Sequence, residues 1–142
     1  MTDPGQTLSL LGLFASSFAA ATVLPFSSEA VLGVVVARSG GWAVPVVVAT
    51  IGNTLGACTT YWLGRRAATA LAPHSSRRYE RAASLLRAYG APAMLLSWVP
   101  LLGDALVALA GAARMPVVGF TLWTTAGKLA RYAALGMAVA HW

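Results

Sequence analysis

The sequence predicts an all-α integral membrane protein made of two inverted repeats, each a re-entrant helical hairpin followed by a transmembrane helix. Three observations predict it. Of 142 residues, 58% are hydrophobic and only 10% charged, with mean hydropathy +0.70, whereas a soluble domain carries roughly 25% charged residues. The apolar residues form uncharged runs broken by proline and glycine. Two acids recur at matched places, in Pro25-Phe26-Ser27-Ser28-Glu29-Ala30 and Pro100-Leu101-Leu102-Gly103-Asp104-Ala105. The same offset aligns Ala37 with Ala112, Thr50 with Thr125 and Gly52 with Gly127 without gaps. A repeat with broken hydrophobic segments is a sequence-level pointer to a transporter-like binding site.

One membrane domain, 1–142, is expected: a first half over about 7–64, a basic hinge over about 65–82 and a second half over about 83–140. Residues 7–24 are uncharged but marginal in length for a span, which takes about 20 residues, and Pro25 breaks them. Residues 27–37 form a short arm that ends at Arg38, before Gly40-Gly41. Such an arm is too short to cross the hydrocarbon core, so a re-entrant course is expected. Residues 42–63 are long enough to span and carry Gly52, Asn53 and Gly56, small residues of the kind that let helices approach closely. In the hinge, Ser75 or Ser76 is placed to cap a helix. Arg77, Arg78 and Arg81 beside Ala82, Leu85 and Leu86 read as an interfacial helix or as a solvated loop that fixes orientation. Residues 83–99 mirror the first arm, with an interruption at Tyr89-Gly90-Ala91-Pro92, and Pro100 breaks the second hairpin as Pro25 breaks the first. Residues 103–113 are the return arm, ending at Arg114. Residues 116–140 are the last span, with Lys128 and Arg131 as an unusual burden. Arg38 and Arg114 read as interface anchors.

The net charge of +6 is a topology signal here and not a nucleic-acid footprint. Six of the ten basic residues lie between Arg65 and Arg87, which puts that loop in the cytoplasm. The termini then lie outside and the hairpins open to opposite faces, although Lys128 and Arg131 pull against this orientation. The single Cys58 cannot form an internal disulfide. No basic residue precedes the first apolar run, unlike a cleaved signal peptide. No Cys or His cluster suits a metal and no nucleophile–base set is visible, so neither a cofactor nor an enzyme activity is expected, and no residue is assigned to catalysis.

Four acids occur in the chain; Asp3 and Glu80 read as solvated, whereas Glu29 and Asp104 sit among apolar residues. Desolvation disfavours the charged form of a carboxylate, so each must be neutral, paired or wetted by a cavity. Intramembrane ionisable groups are functional candidates by default. Lys128 and Arg131, three apart, share a helix face, and under the repeat offset they correspond to Asn53 and Gly56. Asn53, Lys128 and Arg131 are therefore expected to line one cavity with Glu29 and Asp104, where the two cations suit an anion such as a phosphate. The alternatives are a structural salt bridge between an acid and Arg131 or Lys128, and snorkelling of the two cations to head groups. The breaks at Pro25 and Pro100 free backbone groups, which are tolerated in a membrane where they line a wet cavity or are covered by protein.

The run Leu24-Pro25-Phe26-Ser27-Ser28-Glu29-Ala30-Val31-Leu32 resembles the DedA family of membrane proteins, which share the VTT (SNARE-associated Golgi protein) domain. Gly52-Asn53-Thr54-Leu55-Gly56, Tyr61-Trp62-Leu63-Gly64-Arg65, the stretch from Tyr89 to Asp104 and Gly127-Lys128-Leu129-Ala130-Arg131-Tyr132 also fit, and look closest to the short YqaA-type branch. The resemblance covers nearly the whole chain. It implies two facing re-entrant hairpins in a helical bundle, in a multi-pass protein of the bacterial inner membrane. It also implies translocation of lipids or ions, the lipids being lipid-phosphate carriers or phospholipids, with dependence on a proton gradient, and it carries the hairpin acid over to Glu29. Larger relatives place arginines around the second proline, where this chain has Ser97 and Asp104; Lys128 and Arg131 are the candidate replacements for that charge.

Two functions are compatible with these features. One is a small transporter or lipid-translocating protein in which Glu29 and Asp104 exchange protons. The other is a non-transporting membrane-integrity or assembly factor. The expected partners are membrane lipids, with an anionic lipid phosphate or protons as cargo, and a second copy of the chain; nucleic acid is not among them.

Overall fold

The computed structural model describes residues 3–22, 27–66, 77–99 and 102–142. Pro25, Pro100 and most of the expected hinge lie outside them. The described residues are helical and include no strand: α1 (Pro4–Thr22), α2 (Ser27–Ser39), α3 (Ala43–Arg66), α4 (Arg77–Tyr89), a 3-10 segment (Ala91–Trp98), α5 (Leu102–Ala112) and α6 (Val117–Ala140). Among them, α3 is the helix that is both long and apolar enough to cross a membrane. Helix α6 has the same length of 24 residues, but Lys128 and Arg131 interrupt its apolar surface.

The chain forms two compact units, Met1–Gly56 with Leu129–Trp142, and Ala57–Lys128. In the first, α1 opens with Pro4 at its first position, where a missing N–H costs nothing. Helix α1 packs along α2. Leu13, Leu32, Val35, Val36, Val46, Ala49 and Tyr132 make the core. Gly52 of α3 sits against α1 so closely that an added Cβ would lie 2.7 Å from the Phe14 carbonyl oxygen. Helix α2 stops where Gly40 takes φ 68°.

In the second unit, α5 packs against α4 and the 3-10 segment. Ala57, Tyr61, Ala82, Met94, Leu106, Ala110 and Phe120 lie in its core. Leu85 and Leu86 pack on that core from α4, so the apolar side of this basic helix is spent on protein. The span was expected to end at residue 63, and α3 runs on to Arg66. The reason is packing: Gly64 lies against the Ala108 backbone while Gly111 lies against the Tyr61 backbone. One close crossing of α3 and α5 therefore needs both glycines and keeps the last turn of α3 helical. Tyr61 adds a hydroxyl hydrogen bond to the Met115 carbonyl and a ring contact with Phe120 at 4.6 Å. The Arg65 guanidinium lies over the Trp62 ring, 5.2 Å from its centroid, an aromatic–cation pairing suited to a membrane interface.

Helix α5 ends in a Schellman turn. The Met115 N–H donates to the Ala110 carbonyl and the Arg114 N–H to that of Gly111, each at 3.0 Å. Arg114 occupies the left-handed position with φ 56°, where glycine is the usual residue.

Candidate functional site: an acid at the head of each hairpin helix

Glu29 is the third residue of α2 and Asp104 the third residue of α5. The first turn of a helix leaves its N–H groups without intrahelical acceptors and carries the positive end of the helix dipole. Each acid is thus set where its charge is favoured even in apolar surroundings.

In the first unit, Glu29 forms an ion pair with Arg131 of α6. The pair is partly shielded, the side chains being 32% and 19% exposed. The neighbouring residues repeat the link, since the Ser28 and Tyr132 hydroxyls hydrogen bond at 2.8 Å, and Ser28 and Tyr132 are both buried. Helix α2 is therefore tied to α6 at two successive residues on each side. Asn53 is buried and its amide donates to the Ser17 carbonyl of α1 at 2.9 Å. This bond lies next to the close approach at Gly52 and fixes α3 on the first hairpin arm.

In the second unit, Lys128 of α6 is buried, with 6% of its surface exposed. That burial argues against snorkelling for this side chain. Asp104 lies within its electrostatic reach, as does Cys58, and Asp104 itself is exposed. Buried hydroxyls at Ser97 and Thr124 have no hydrogen-bond partner among the described residues. Thr124 stands one helical turn before Lys128, on the same face.

Each unit thus holds one hairpin acid and one cation from α6: Glu29 with Arg131, Asp104 with Lys128. Of the expected site residues, Glu29, Asn53 and Arg131 fall in the first unit and Asp104 and Lys128 in the second. Pro25 and Pro100 are outside the described residues. Sequence reasoning did not find the Ser28–Tyr132 bond. The available signal was adjacency, because Ser28 precedes one member of the ion pair and Tyr132 follows the other.

The VTT domain pattern matches residues 24–141. The chain is 43% identical over 136 residues to "Inner membrane protein YqaA" of Escherichia coli (strain K12), covering 94% of this chain and 92% of the relative. The same figures hold for "Inner membrane protein YqaA" of Shigella flexneri. An uncharacterized protein of Haemophilus influenzae is 39% identical over 150 residues, covering 94% and 88%. No solved structure matches. A chain whose described residues are helical, with an acid at the head of α2 and of α5, and that matches this pattern over residues 24–141, belongs to the VTT-domain (DedA) family and is an inner-membrane protein.

Proposed function

We propose that the protein is a small transporter or lipid-translocating protein, built as an inverted repeat, in which Glu29 and Asp104 are the ionisable groups and Arg131 and Lys128 their counter-charges. The observation that carries this reading is the identical station of the two acids, third in a short helix after a proline, each with a cation of α6. Two further features support the repeat. The glycines aligned by the repeat offset play one role, Gly52 against the Phe14 carbonyl and Gly127 against that of Leu95, in each case on the entering arm of the hairpin. The division into units cuts α3 and α6 at similar places, after Gly56 and after Lys128. The first unit takes hairpin one, the start of α3 and the end of α6; the second takes hairpin two, the start of α6 and the end of α3.

Protonation of Glu29 or Asp104 removes the charge that holds its cation. A change in pairing that favours one access state is a population shift driven by differential binding of the proton. The cations thereby released suit an anionic lipid head group. The test is lipid flipping in liposomes with and without a pH gradient, using Glu29→Gln and Asp104→Asn. Loss of gradient dependence is expected in both variants, and unchanged activity of both at every pH rejects the role.

The reading as a non-transporting assembly factor draws on one observation, the double tie of α2 to α6 through Glu29–Arg131 and Ser28–Tyr132. Exchange of charges (Glu29→Lys with Arg131→Glu) decides between the two. Full recovery of function favours a structural pair, because the swap keeps the attraction between α2 and α6 while moving the carboxylate out of the first turn of α2.

A further inference from the structure

The first unit buries three hydroxyls on three helices: Ser17 of α1, with 0% of its surface exposed, Ser28 of α2 and Tyr132 of α6. The Tyr132 hydroxyl is bonded to that of Ser28 at 2.8 Å. Its other hydroxyl neighbour is Ser17, yet the Ser17 oxygen completes no hydrogen bond among the described residues. Tyr132 thus stands between the two arms of the first hairpin, bonded to one and beside an unmet hydroxyl of the other.

A buried polar group left without a partner is costly, so its presence calls for an arrangement in which it is paired. Seating α3 is not that purpose, because the Asn53 amide reaches the Ser17 backbone carbonyl at 2.9 Å and needs no side chain there. A hydroxyl both donates and accepts, so the Tyr132 oxygen can leave Ser28 for Ser17 with one bond broken and one made. The neighbours supply a reason to move. Ser28 precedes Glu29 and Tyr132 follows Arg131, so the hydroxyl bond and the ion pair join the same two helices side by side. The other charged or titratable residues described in this unit are Asp3, Arg38 and His141, each nine or more residues along the chain from the contact, about 13 Å or more in a helix. Lys128, one turn before Tyr132 on α6, belongs to the second unit, where Asp104 is its charge neighbour. Glu29 is therefore the acid that titrates beside the hydroxyls, with Arg131 as its cation.

We propose that the Tyr132 hydroxyl has two stations, on Ser28 while Glu29 is ionised and on Ser17 once Glu29 is protonated, and that Tyr132 and Ser17 are positioning residues for the re-pairing of Glu29 and Arg131. The inference rests on the reading of Glu29 as a proton-exchanging group and names what answers its protonation. While the ion pair holds α2 on α6, Ser28 is kept on Tyr132. Without the pair, that bond is the remaining printed tie between the two helices, and Ser17 on α1 competes for the same oxygen. The number of hydrogen bonds is the same at either station, so one proton is enough to select between them.

The test follows the protonated-carboxyl infrared band of Glu29, identified by its loss in Glu29→Gln, across pH in the full chain held in lipid nanodiscs. Ser28→Ala removes the station of the ionised form, so Glu29 keeps its proton to higher pH and the midpoint of the band rises. Ser17→Ala removes the station of the protonated form, so the midpoint falls. Each displacement is expected to be about 0.5 pH unit, the effect of one net hydrogen bond. Ser28→Thr, which keeps the hydroxyl, is expected to leave the midpoint near its original value. In a Tyr132→Phe background both alanine substitutions are expected to lose their effect. A purely structural bond between Ser28 and Tyr132 gives no fall for Ser17→Ala. Midpoints that move the same way, a midpoint unmoved by Ser17→Ala, or displacements that survive Tyr132→Phe overturn the proposal while the Glu29 band still titrates. Absence of any titrating Glu29 band overturns it together with the proton role of Glu29, so the two failures are distinct.

Discussion

Removing one side of the Glu29–Arg131 pair strands the other in a half-shielded, apolar setting. Two unit charges about 4 Å apart attract by about 4 kcal/mol at an effective dielectric of 20. Desolvation and side-chain ordering offset much of this, so that exposed pairs contribute about 0–1 kcal/mol whereas breaking a buried pair costs about 3–5 kcal/mol. With side chains 32% and 19% exposed, the pair lies between these limits, and a coupling of about 2 kcal/mol follows. The singles should be unequal. Glu29→Gln leaves the Arg131 charge with a neutral neighbour, at a cost of about 2 kcal/mol. Arg131→Gln leaves Glu29 in the first turn of α2, where the dipole returns about 0.5 kcal/mol, so the loss is about 1.5 kcal/mol. The double variant, with neither charge, should lose less than the sum of the two by the coupling. Reversible unfolding in mixed detergent micelles, followed by tryptophan fluorescence, measures all four corners of the cycle. Additivity within about 0.5 kcal/mol, the scatter of independent sites, refutes the reasoning.

Two predictions concern the backbone. Gly111→Ala and Gly103→Ala drive a methyl group into the Tyr61 and Ser97 backbone respectively, and each should destabilise by about 2 kcal/mol, the range of overpacking. Gly33→Ala is the matched control, because a Cβ there meets nothing within 4 Å; it should raise stability by up to about 1 kcal/mol from helix propensity. The same unfolding assay reads all three, and a loss at Gly33 equal to that at Gly111 contradicts the packing account. Arg114→Gly should raise stability by about 1 kcal/mol, by relieving a left-handed residue that carries a side chain. A loss of stability in the unfolding midpoint would mean that Arg114 anchors the helix end by its charge.

Helix existence was legible in the chain because each helix lies between breakers: Gly40-Gly41 after the first return arm, Gly90 after α4, Pro116 before α6. The return arms Ser27–Ser39 and Leu102–Ala112 begin where the proline and acid spacing placed them. The acids were legible for the same reason, a lone charge in an apolar run being conspicuous. Pairing was less so. The offset between the two proline–acid runs placed Asn53 and Lys128 at equivalent positions, yet the Asn53 amide ties α3 to the Ser17 carbonyl, and a backbone acceptor leaves no mark in a sequence. The end of α3 was read too early because Gly64 and the two arginines after it look like a helix stop. Only the carbonyl of Ala108, forty-four residues away in the chain, gives that glycine its purpose.

The 3-10 segment at Ala91–Trp98 is eight residues long, where runs beyond about four are uncommon. Its side chains fall into lengthwise rows, with Pro92, Leu95 and Trp98 outward and Met94 and Ser97 inward. That register depends on the winding itself. At three residues per turn each step rotates the chain by about 120°, against about 100° in an α-helix. Rewinding the six steps from Pro92 to Trp98 as α-helix turns Trp98 by about 120° and shortens the stretch by about 3 Å. A rod of this kind couples length to rotation like a screw thread: any pull along its axis must also twist the indole and the Ser97 hydroxyl about it.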